Sequence, residues 1–175
     1  NKSWYPIGKS QNEFKGIFDG GGHTVSGLSI TSFNETLYFG LFGYIVNAVV
    51  KNLRVAGGIT TGQAITKGDP FYFGGIAGYA GKSKIIACSN AVGIDVNTNS
   101  GWHLYIGGVA GVQDEGVINN CWNEAPLSGE ITGYMYNIGG IVGKSESGSI
   151  SNCYSLGNVS GSGTNTSDLP CAIGG

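Results

Sequence analysis

Asp114 and Glu146 have the clearest claim to chemistry. Each stands six residues beyond the first glycine of a Gly-x-x-Gly signature, in Gly108-Val109-Ala110-Gly111 and Gly140-Ile141-Val142-Gly143. If those signatures stack, the two carboxylates come within about 5 Å, the separation found in retaining glycosidases. The same position holds Val46 and Gly81 in the other copies. Gln113-Asp114-Glu115-Gly116 and Ser145-Glu146-Ser147-Gly148 also read as exposed turns. A carboxylic acid in contact with water makes a poor general acid near neutral pH. A solvated turn is therefore the preferred reading, and no catalytic residue is assigned.

Cysteine offers a second chemistry. Cys88, Cys121 and Cys153 share one column, thirteen residues after the signature glycine, where the first copy has Leu53. Cys171 falls elsewhere, level with Phe71, Leu104 and Tyr136. Stacked strands about 4.8 Å apart satisfy the distance for a disulfide. Parallel strands in register, however, point their Cβ atoms the same way. That favours buried free thiols, which act as small hydrophobes, over a single bridge. Zinc needs its sulfurs within about 4 Å of each other, whereas the outer two of this column would lie about 9.6 Å apart, so no metal is expected. Gly-Lys-Ser occurs at Gly8, Gly81 and Gly143, but the phosphate-binding loop needs a further glycine five positions earlier. Ser3, Ile76 and Ile138 stand there instead, so neither a nucleotide nor any other cofactor is expected. Asp19-Gly20-Gly21-Gly22-His23 reads as a short turn.

Binding is the better prospect. Phe71, Tyr72, Trp102, Tyr105, Tyr134 and Tyr136 lie at or beside the segments where the repeats vary in length. Insertions on one side of a repeat protein commonly build its binding surface, and Tyr and Trp supply broad, stiff contact area with a polar handle. These six are the candidate binding residues. Trp122 and Tyr154 share a position next to the cysteine column and are expected to stack outward.

The elements that position these residues follow from the repeat. Gly40-Leu41-Phe42-Gly43, Gly75-Ile76-Ala77-Gly78, Gly108-Val109-Ala110-Gly111 and Gly140-Ile141-Val142-Gly143 align, at steps of 35, 33 and 32 residues, and Ile173-Gly174-Gly175 begins a fifth copy. Apolar columns recur at Val50, Ile85, Ile118, Ile150; at Leu53, Cys88, Cys121, Cys153; and at Ile59, Ile94, Leu127, Val159. Another precedes the signature at Tyr38, Phe73, Ile106, Ile138 and Ile173. A mostly amide column holds Asn52, Ala87, Asn120 and Asn152. Length varies only at about 62–70, 97–103, 131–135 and 162–170, which maps every insertion to one corner.

Gly, Asn, Ser and Thr punctuate the chain too often for a helix pair, and the β-branched runs between them read as strands. The expected fold is all-β, a right-handed parallel β-helix with three short strands per coil. The columns become interior ladders, and the repeated glycines become corners of positive φ or close backbone approach. Residues 1–35 form an atypical first coil, with short strands around the Asp19-Gly20 turn. Residues 36–172 are repeat coils and 173–175 start another, so the chain is expected to be a single solenoid domain within a longer array. Its 33 glycines and 11% charged residues exclude a coiled coil or helix bundle. A net charge of −2 gives no footprint for nucleic acid, and no apolar stretch is long enough to insert in a membrane.

Trp4-Tyr5-Pro6-Ile7-Gly8, the segment Phe14-Lys15-Gly16-Ile17-Phe18-Asp19-Gly20, Lys51-Asn52-Leu53 and the Asn-Cys-(Trp/Tyr) phrases resemble the GLUG-type repeats of large bacterial surface and secreted proteins. Such repeats accompany filamentous-haemagglutinin-like adhesins and immunoglobulin A1-cleaving metallopeptidases, outside the catalytic part. The resemblance implies a β-solenoid, a secreted or cell-surface location in bacteria, and no catalytic residue. The expected role is structural and adhesive, with a glycan or host protein as partner alongside the remainder of a larger parent chain. The alternatives are a non-catalytic accessory domain of a surface metallopeptidase and a β-helical polysaccharide-degrading enzyme.

Overall fold

The computed structural model describes residues 3–33, 37–61, 70–98, 103–133, 135–165 and 172–174. Short β-branched and aromatic runs suit strands that pack on one another, and all the regular elements described are strands. They wind as a parallel β-solenoid of about four turns, right-handed as parallel crossovers are.

Three faces result. The first stacks Tyr38–Phe39, Phe71–Gly74, His103–Gly107, Met135–Gly139 and Ala172–Gly174. The second stacks Phe42–Val46, Ala77–Gly81, Ala110–Asp114 and Val142–Ser145. The third is longer and bends along its length. It holds Ile17–Ile30, Val49–Thr60 and Lys84–Thr98, then two broken sets beginning at Gly116 and Gly148. The Asp19 segment is a turn inside Ile17–Ile30, which runs as one strand with two register shifts rather than as separate short strands.

The predicted columns are register lines. Val50, Ile85, Ile118 and Ile150 pair in sequence, as do Ile59, Ile94, Leu127 and Val159. Burying each such side chain contributes about 1.5–3 kcal/mol. Exposure rises only in the last coil, where Ile150 and Ile173 have a ladder neighbour on one side among the described residues. One column needs correction. Phe39, not Tyr38, pairs with Phe73 and so begins the line through Ile106, Ile138 and Ile173. The first coil has one residue fewer at this corner, Phe39-Gly40-Leu41-Phe42 against Phe73-Gly74-Gly75-Ile76-Ala77, and this turns Tyr38 outward.

Of the two roles expected of the corner glycines, close backbone approach is the one they play, a Cβ at Gly40 or Gly78 meeting backbone atoms at 2.3 or 2.7 Å. The signature glycines do not adopt positive φ. That conformation is taken by Asn47, Lys82 and Glu115 (52°, 49° and 51°) and by Asn52, Ala87, Asn120 and Asn152 (53°, 52°, 53° and 53°). Asparagine visits the left-handed region more readily than most residues. The amide column is thus a column of turns, and the side chains of Asn52, Asn120 and Asn152 are exposed rather than interior. Asn52 Nδ2 and the Gly21 amide both donate to Asp19 Oδ1 at 3.0 Å, and Lys51 Nζ lies 3.1 Å from its other oxygen.

One residue beyond each turn, the side chain points back inside. Leu53 and Cys88 are register partners, and the Cys121 amide donates to Cys153 Sγ at 3.4 Å. The three described cysteines are free; Cys171 lies outside the described residues. Each thiol donates to the carbonyl two residues before it, on Ile86, Asn119 and Ser151, at 3.3, 3.3 and 3.1 Å. The neighbouring Cys88 thiol, together with burial, pushes the Cys121 thiol up, and burial raises Cys153. Neither is a ready nucleophile.

A buried amide ladder does exist, two residues further on. Asn90 Nδ2 donates to Asn123 Oδ1 at 2.8 Å, and Asn123 Nδ2 to Ser155 Oγ at 3.1 Å. Each asparagine also accepts from the amide two residues later, Val92 or Ala125, which closes a tight local turn. The glycine signature makes room for this ladder. A Cβ at Gly75 would stand 1.8 Å from Asn90 Oδ1, and one at Gly108 would stand 2.6 Å from Asn123 Cγ.

Two measurements test these corners. Ala87→Asn places the residue used by the equivalent turns at a position strained for alanine. It should stabilise the fold by about 1 kcal/mol, seen as a Tm rise of roughly 2–4 °C; a fall would contradict the turn geometry. One coil earlier at the same corner, Asn52, the Gly21 amide and Lys51 hold the Asp19 carboxyl down to about 2. Its contribution is complete above the unfolded value of about 3.9 and is lost as pH falls through the folded one. In urea unfolding across that acid range, the chain should lose stability more steeply than Asp19→Asn does.

Candidate functional site

The corner between the first and second faces is re-entrant, because side chains pointing outward on either side of it touch. On the first face Tyr38, Tyr72 and Tyr105 are register partners, followed by Asn137. On the second, the line runs Tyr44, Tyr79, Val112, Lys144. Within each line the rings stack: Tyr38 on Tyr72 at 4.7 Å, Tyr72 on Tyr105 at 5.4 Å, and Tyr44 on Tyr79 at 4.4 Å between centroids. Across the corner they meet edge-on, Tyr38 with Tyr44 at 4.7 Å and 86°, Tyr72 with Tyr79 at 6.3 Å and 85°. Both are arrangements that the ring quadrupole favours.

The second line stops after two rings. Val112 stands where a third tyrosine would, and a cleft of about 400 Å³ opens there, walled by Tyr72, Tyr79, Tyr105, Asp114, Lys144 and Glu146. Its rim is polar. Tyr79 Oη donates to Asp114 Oδ2 at 2.9 Å, and Ser147 Oγ to Asp114 Oδ1 at 3.4 Å. Lys144 pairs with Glu146 and holds its ammonium 5.6 Å from the centre of the Tyr105 ring. The hydrogen bond to Glu146 raises Lys144 further. Burial, with Tyr38 and Tyr105 nearby, pushes Tyr72 up to about 12. Burial and the bond to Asp114 raise Tyr79 as well. The phenols therefore remain neutral, and Asp114, Lys144 and Glu146 set the charge of the cleft.

Asp114 and Glu146 do come to one place, as their shared spacing predicts. Asp114 accepts two hydroxyls, while Glu146 is exposed and holds Lys144. Both carboxylates are thus engaged at the rim, an arrangement that suits holding hydroxyl groups. Among the described residues, no three His, Cys, Asp or Glu gather as a metal centre.

The six candidate binding residues divide. Tyr72 and Tyr105 enter the cleft, although Tyr105 is only 5% exposed. Phe71 is corrected to a core residue, wholly buried, and Tyr136 shares its inward register line through Leu104 and packs on the core. The reason is strand alternation: residues 71 and 73 face inward, so only 72 faces out. Trp102 and Tyr134 lie outside the described residues, as do most of the variable segments. Trp122 and Tyr154 stack outward, 6.2 Å apart and 7° from parallel. Trp122 Nε1 donates to Glu124, whose other oxygen accepts from Arg54. Tyr44 and Tyr79 have no place among the residues singled out from sequence, and Tyr38, expected in an interior column, lines the outer face instead. Tyr44 and Tyr79 share the fourth position after the signature glycine, and that repetition was the available signal.

An ultraviolet pH titration tests the packing. Tyr72 and Tyr79 should remain protonated beyond the ordinary phenol value of about 10 until the fold loosens. Because the folded chain keeps those protons more tightly, stability should fall as pH rises above about 10. One step near 10 for every tyrosine, without unfolding, would contradict the stacked arrangement.

Residues 136–160 match the model of the GLUG motif. They run from Tyr136 on the first face, through the second, to Ser160 on the third, which is most of one coil. The search of curated proteins and that of solved structures each returned no match. One coil thus matches the GLUG motif, in a chain whose coils stack one above another in register as a parallel β-solenoid.

Proposed function

We propose that this solenoid is a structural and adhesive segment of a bacterial cell-surface or secreted protein, binding a glycan or host protein without covalent chemistry. The tyrosine cleft is the observation that carries the reading. Its rings are already stacked and its rim groups already paired, so little side-chain freedom remains to be lost on binding. A solenoid also offers long surfaces on which neighbouring coils act together. The secreted or surface location follows the character of GLUG-type repeat proteins.

Glycan and host-protein arrays probed with the labelled chain test this reading. Selective retention on a few ligands is expected, with any bound polysaccharide recovered at its original length. Silence across both arrays would overturn adhesion, and shortened polysaccharide would favour an enzyme.

A further inference from the structure

We infer that the gap in the second tyrosine line is a subsite for one neutral pyranose ring, an assignment that rests on the adhesive reading above and names its ligand. The gap has the dimensions of a missing rung. Tyr79 lies one coil before Val112 and Lys144 one coil after it. Two coil spacings amount to about 9.6 Å, room for one ring held at the kind of separation that Tyr44 and Tyr79 show, 4.4 Å. One face of the Tyr79 ring is covered by Tyr44 and the other looks into the gap. The exposed side of Tyr105 is already held by Lys144.

The chemistry of the walls selects a sugar. A pyranose has apolar C–H faces and an edge of hydroxyls that both donate and accept. The gap offers an aromatic face and the Val112 methyls, with a rim of two carboxylates, an ammonium and phenol oxygens. A phenylalanine side chain from a protein partner would satisfy the faces but could make no hydrogen bond to the rim, whose carboxylate and phenol oxygens keep further lone pairs for a hydroxyl. Asp114 and Glu146 outnumber Lys144, so like-charge repulsion acts against uronic and sialic acids.

The test compares neutral hexose oligosaccharides with their sialylated counterparts on the intact chain and on variants. Val112→Tyr completes the line with a third ring. It should keep or raise Tm while lowering neutral-glycan affinity by about tenfold or more. Tyr79→Ala should lose binding similarly, whereas Tyr79→Phe keeps the ring face and should keep most of the affinity. Trp122→Ala, on another face, should bind as the parent does. If the arrays are positive but Val112→Tyr binds as well as the parent, the subsite assignment falls and adhesion through another surface stands. The same holds if only sialylated glycans bind. Silent arrays remove both.

Discussion

Each coil of this solenoid is held largely by contacts between a residue and its own equivalent one turn away. Parallel register forces that arrangement. Once Val50 lies beside Ile85 and Ile85 beside Ile118, every other column is placed as well, since a slip by one residue would turn each strand inside out. Aliphatic columns, a thiol column, a buried amide ladder and two lines of tyrosine then arise from the same constraint. Like stacks on like because the sequence repeats.

Closing a coil in 32 to 35 residues requires sharp corners, and the chain makes them in two physically different ways. At the re-entrant corner, glycine is needed for space: the buried Asn90 and Asn123 amides press against Gly75 and Gly108 where a side chain would stand. On the third face the turn is made by left-handed residues, mostly asparagine, and the next side chain returns to the interior. There a thiol satisfies the carbonyl just before the turn. The cysteines thus behave as polar caps as well as small hydrophobes, which accounts for a column of free thiols.

The cleft arises where the repetition fails. A complete tyrosine line would be a closed stack with its faces used up. Replacing the third ring by Val112 leaves the Tyr79 face open and brings Asp114, Lys144 and Glu146 to its edge. The carboxylate pair, which sequence spacing presents as a possible hydrolase centre, becomes the polar rim of that gap. Asp114 is tied to Tyr79 and Glu146 to Lys144.

The sequence by itself determined the solenoid, its coil length, its interior columns and the meeting of Asp114 with Glu146. Repetition in register converts equal spacing into contact, so these features need no knowledge of the third dimension beyond the stack. Tertiary structure decided which way each side chain points and how the faces meet. Phe71 and Tyr136 turn inward while Tyr72 turns outward, a choice set by the pleat, and the one residue missing from the first corner turns Tyr38 outward. The cleft exists because that corner folds back on itself and brings Tyr72 of one face against Tyr79 of the next. No count along a single strand contains that angle, because it comes from backbone packed against backbone at the glycines and from asparagines buried behind them.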